Sequence, residues 1–104
     1  MIICIDEAAR VEVTDLDNFR QFHCEISGSK SIIESINRFS AGAVEVTDEN
    51  TAWVNAKWLA DLGSTRRGGK WLEDYLKMTE QAKSYGWVSS DGRKIKAHIV
   101  WSSR

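Results

Sequence analysis

Residues 70–101, KWLEDYLKMTEQAKSYGWVSSDGRKIKAHIVW, change periodicity once, at Gly86. Before it, Leu72, Tyr75, Leu76, Thr79 and Ala82 recur at the spacing of an amphipathic helix, and Glu73 stands four residues ahead of Lys77, the favourable order for an ion pair. This spacing predicts a helix over Lys70 to Tyr85, ended by Gly86, with Trp87 packing back near Ala82 as in a glycine C-cap. Trp87 to Trp101 then reads as a hairpin about Asp91-Gly92. Its second arm puts Ile95, Ala97, Ile99 and Trp101 on one face and Lys94, Lys96 and His98 on the other, so one side of the sheet is wet. Such sheets are usually antiparallel, with helices on the dry side.

The rest of the chain extends this pattern. Met1 to Ile5 is a short apolar run and Arg10 to Thr14 alternates, which predicts two strands. Residues 15–26 fit two patterns: Phe19, Phe22, His23 and Ile26 make a helical stripe, while Phe22, Cys24 and Ile26 alternate with His23 and Glu25. A turn through Asp15 to Asn18 followed by a strand from about Arg20 to Ile26 is the preferred reading, with the helix as its alternative. After the break Ser27-Gly28-Ser29, Ser31 and Glu34 have capping-box spacing. They should open a helix of roughly three turns with Ile32, Ile33, Ile36 and Phe39 on its apolar face and Gly42 as its stop. Val44 and Val46, then Ala52 and Val54, flank Thr47 to Asn50 as a hairpin. Asn55 can cap a short helix carrying Trp58, Leu59 and Leu62, ended by Gly63, and a loop from Ser64 to Gly69 should follow.

With 104 residues there is room for one core. The expected fold is therefore α+β, a single two-layer domain over residues 1–104, mostly antiparallel sheet with about three helices packed on one face. No proline occurs, so turns should be marked by Gly, Asn, Asp and Ser. The run Met1 to Ile5 stops at Asp6, far short of the ~20 residues of a membrane crossing, and lacks the basic start of an export signal. A cytoplasmic protein with no membrane partner is the expectation. Cys4 and Cys24 both sit among apolar residues, as buried thiols do.

The formal net charge of −1 divides unevenly, with −6 in residues 1–52 and +5 in residues 53–104. A near-neutral total argues against indiscriminate nucleic-acid binding, which needs clustered cations. Gly63-Ser64-Thr65-Arg66-Arg67-Gly68-Gly69-Lys70-Trp71 comes closest to a phosphate-binding loop. It misses by one register: Gly69 stands where the lysine belongs, and Lys70 is followed by Trp71 in place of a magnesium-binding Ser or Thr. This argues against nucleotide hydrolysis and for an ordinary solvated loop, with a simple anion or acidic-partner contact at Arg66 and Arg67 as an alternative.

Cys4, His23, Cys24 and His98 follow no zinc-ligand spacing, and neither a metal nor a cofactor is expected. His98 is the better acid–base candidate, ahead of His23 with Glu25, but no nucleophile signature accompanies it. Among the five tryptophans, Trp58 and Trp101 are in phase with apolar neighbours and read as core. Trp53 is out of phase and Trp71 lies at the edge of its helix stripe, which makes both candidates for an interface. The leading expectation is a small non-enzymatic protein-interaction module whose partner is another protein or a second copy of the chain, with contacts from Trp53, Arg66, Arg67, Lys70, Trp71, Lys94, Lys96 and His98. Two alternatives stand beside it: a small-molecule or enzyme domain with His98 in a pocket, and single-stranded nucleic-acid binding through basic and aromatic side chains.

Overall fold

The alternation read in residues 94–101 sets the pattern for a whole sheet. A computed structural model describes residues 1–102. Six strands are present among them: β1 (Ile2–Ile5), β2 (Val11–Thr14), β3 (His23–Ser27), β4 (Val44–Val46), β5 (Thr51–Asn55) and β6 (Lys94–Ser102). They form one curled sheet, a half-barrel, in the order β2-β1-β3-β6-β5-β4. Cross-strand register places Val13, Ile3, Cys24 and Ile99 in one row, and Val46, Ala52 and Ala97 in another, all buried on the same face. The opposite face carries Glu12, Cys4, Glu25, His23, His98, Lys96, Trp53 and Glu45. Ile32, Ile36, Leu59, Trp71 and Tyr75, from the helical segments, join the strand residues in a single apolar cluster. The Cα radius of gyration is 13.1 Å, the size of a compact chain of about 100 residues.

The sheet is mixed, which corrects the expectation of a mostly antiparallel one. β1 runs parallel to β3, and β3 parallel to β6, while the β1–β2, β4–β5 and β5–β6 pairs are antiparallel. Parallel neighbours ordinarily need a long crossover. Here β2 supplies the return: it folds back along the outer side of β1 and ends beside Ile2. Residues 15–22 then need only pass the end of β1, where the Met1 nitrogen donates to the carbonyls of Asn18 and Gln21, before β3 starts at His23 on the far side. The preferred reading of residues 15–26, a turn and then a strand, therefore holds, with the strand starting later than Arg20, at His23. β6 enters between β3 and β5, so the two halves of the sequence share one sheet. The ion pairs Lys94–Glu45 and Arg67–Asp17 join the acidic and basic halves of the sequence as well.

Three α-helices follow the apolar periodicity with some changes of boundary: α1 (Ile33–Phe39), α2 (Ala56–Arg67) and α3 (Gly69–Ser84). α1 is shorter than three turns and is entered through a 3-10 turn at Lys30–Ile32, so the capping box does not form. The Ser31 hydroxyl instead pairs with that of Ser29, and Glu34 accepts from Arg38. Asn55 caps α2 as expected, its Oδ1 accepting from the Trp58 amide at 2.9 Å. Gly63 does not end that helix. The helix continues to Arg67, and Gly63 instead makes room for the Trp71 ring, which a Cβ at that position would overlap. The expected loop from Ser64 to Gly69 is therefore mostly helix, and the connection shrinks to Gly68, whose φ of 88° suits a residue without a Cβ. α3 ends as the sequence implies. The Gly86 amide donates to the Lys83 carbonyl and the Trp87 amide to the Ala82 carbonyl, the paired bonds of a Schellman stop.

Turns are not all glycine-marked: Ala9 takes a φ of 62° between β1 and β2. The Asp6 carboxylate organises that turn by accepting from the amides of Arg10 and Ala8, and these bonds, the Arg10 amide foremost, hold its carboxyl below the usual range. Among the described residues, no helix is long and apolar enough to cross a membrane.

Candidate functional site

Where α3 stops, its last turn, the β2–β3 connection and the start of β6 border a cleft of about 640 Å³. Phe19, Arg20 and Phe22 come from the connection, Met78, Gln81, Ala82 and Tyr85 from the helix end, and Trp87, Ile95, Lys96 and His98 from the terminal hairpin. The hairpin is fixed locally. Ser89 donates its amide to the Lys94 carbonyl, and Lys96 donates to the Trp87 carbonyl at 2.7 Å. At its tip, the Asp91 carboxylate accepts from the Ser89 hydroxyl and the Arg93 amide, and both bonds, the hydroxyl's first, keep that carboxyl low.

This arrangement sets the Trp87 ring on Tyr85, with centroids 5.0 Å apart and planes at 29°. The pair stays open to solvent, Tyr85 at 69% and Trp87 at 52% exposure. Beside it, His98 stacks on His23 at 5.5 Å, and the Glu25 carboxylate accepts from His23 Nε2 at 2.9 Å. His23 is buried, so His98 is the imidazole that reaches the cleft. The two charged side chains of the lining, Arg20 and Lys96, are both cations, and no carboxylate lines the cleft among the described residues.

The residues singled out from sequence do not converge. Lys96 and His98 line the cleft, while Lys94, on the same strand face, is engaged by Glu45 at 2.9 Å. Trp53 is half-buried on β5, in register with Lys96 and Glu45. Arg66 donates to the Val13 carbonyl at 3.4 Å, Arg67 pairs with Asp17 at 3.2 Å and Lys70 with Asp74 at 3.2 Å. Trp71 is corrected from surface candidate to core residue: it is 3% exposed, stacks on Tyr75 and donates Nε1–H to the Leu16 carbonyl at 2.8 Å. Trp58 and Trp101 are only partly buried, packed against the core, with Trp101 Nε1–H donating to the Glu49 carbonyl.

A second recess, of about 690 Å³, holds Arg66 with Cys4, Asp6, Arg10, Glu12 and Glu25, charges of both signs, of which Asp6 and Arg10 pair at 3.2 Å. Cys4 is half-buried there and Cys24 lies on the opposite, core face, where burial pushes its thiol up to about 12. Both thiols are free, and Cys24, on the core face, is turned away from the face that carries the two histidines. No group of three or more His, Cys, Asp or Glu among the described residues is placed to hold a metal.

Sequence reasoning missed Tyr85, Trp87, Phe22 and Met78 as wall residues. The signal for the first two was available: Tyr85-Gly86-Trp87 sets two aromatics around a helix stop, outside the periodic stripe that would bury them. No family model, curated protein or solved structure matches this chain.

Proposed function

We propose that this chain is a small cytoplasmic, non-enzymatic protein-interaction module whose contact surface is the cleft at the end of α3. One observation carries the reading: a stacked, solvent-exposed Tyr85–Trp87 pair forms one wall of an apolar recess. Exposed aromatics anchored on a rigid element are the side chains from which protein interfaces draw most of their energy. Their backbone is held by hydrogen bonds of the helix stop and hairpin, so no loop has to be ordered to present them.

Peptide-library selection against the immobilised full chain tests this. Selected peptides should lose binding to the Trp87→Ala chain; equal binding to the variant, or no enrichment, would overturn the proposal. Sedimentation equilibrium of both chains tells whether a second copy is the partner.

The presence of His98 in the cleft favours a second reading, a small-molecule site. Two features weigh against it. A small ligand is normally mostly enclosed, whereas this wall is half in solvent, and acid–base chemistry at His98 lacks a carboxylate partner among the lining residues described.

A further inference from the structure

Resting on the docking role of the cleft, we infer that its partner is an acidic protein segment carrying one aromatic or long aliphatic anchor. The cleft has two kinds of wall that want different things. Phe19, Phe22, Met78 and the Tyr85–Trp87 pair offer apolar surface that is best covered by a large apolar side chain. Arg20 and Lys96 add charge of one sign, and neither is engaged in an ion pair among the described residues. Their neighbour Lys94 differs in this respect, because Glu45 neutralises it.

Two unspent cations beside an apolar recess complement carboxylates flanking an apolar anchor. A nucleic-acid strand fits less well. Stacking platforms offer free ring faces to successive bases, whereas Tyr85 and Trp87 already cover one face of each other. A strand also needs a continuous basic track, while Arg66, Arg67, Lys70 and Lys94 are each engaged elsewhere.

The test titrates the ¹⁵N-labelled full chain with acetylated, amidated hexapeptides: acidic with an anchor (EDLWDE), basic with the same anchor (KRLWRK), acidic without one (EDGGDE) and neutral (GSLWSG). Decathymidylate is a fifth probe. The expected result is saturable movement of the Trp87 indole and Lys96 amide signals by EDLWDE alone at matched concentration, weakened by added salt. Trp87→Ala should reduce that affinity roughly thirtyfold, and Arg20→Glu with Lys96→Glu about tenfold. Both changes fall on surface side chains, and the unperturbed spectrum of each variant checks that it is folded. Binding of KRLWRK or GSLWSG at the cleft as tight as EDLWDE, or stronger binding of decathymidylate, overturns the acidic partner. Of these, the first two leave the docking role standing. Silence of the cleft signals toward every probe at millimolar concentration overturns both.

Discussion

Trp71 with Tyr75, and Tyr85 with Trp87, are two aromatic pairs toward opposite ends of α3, each with ring centroids 5.0 Å apart. The first pair is at most 3% exposed and the second at least 52%. Their surroundings explain the difference. Trp71 fits against Gly63 and bonds to the Leu16 carbonyl, and the Tyr75 hydroxyl donates to the Ala56 carbonyl at 2.9 Å, so the pair ties α3 to α2 and to the β2–β3 connection. Tyr85 and Trp87 lie on either side of the glycine that ends the helix, where the chain turns away from the core. The same ring pairing thus serves packing at one end and is left open to solvent at the other, where we propose that a partner docks.

Substitutions should separate these roles by size. Trp71→Ala is expected to destabilise the fold by ~3–5 kcal/mol in urea unfolding, because it empties a core site and orphans a carbonyl; a loss near that of a surface residue would place the pair outside the core. Gly63→Ala should cost ~1–3 kcal/mol from the clash with the Trp71 ring, even though alanine favours a helix by up to ~1 kcal/mol. The same change in the Trp71→Ala background should become neutral or stabilising, and a double-mutant cycle reads that reversal directly. Tyr75→Phe should cost ~1 kcal/mol, the net value of one hydrogen bond, measured by the same unfolding. Trp87→Ala should change stability by less than ~0.5 kcal/mol while weakening peptide binding roughly thirtyfold, which is the combination a recognition residue predicts.

Much of the architecture was legible because it depends on local spacing. The faces of β6, the β4–β5 hairpin, the Asn55 cap and the Gly86 stop each follow from residues within a few positions of one another. What failed depends on distant neighbours. Gly63 and Gly86 look alike in sequence, and only the approach of Trp71 turns the former into a packing site. For α3 the period was right and the phase was off by one residue: the buried positions are Trp71, Tyr75 and Ala82 with Met78 partly covered, whereas Leu76 is exposed. The parallel pairing of β1 with β3 was hidden because it needed only eight connecting residues, 15–22, once β2 had reversed the chain. Of the cleft lining, Lys96 and His98 were among the residues singled out; Tyr85 and Trp87 were passed over although they flank the helix stop, and Phe22 and Met78 were hidden because the cleft exists only in the assembled fold.

The position of β6 bears on how the chain acquires its shape. Until residues 94–102 have been synthesised, β2-β1-β3 and β5-β4 are two ribbons with no hydrogen bond between them, and each presents a bare inner border. A single late-arriving segment fastens one to the other, so nascent chains that stall before it carry two sticky margins and are the forms most in need of shelter from aggregation.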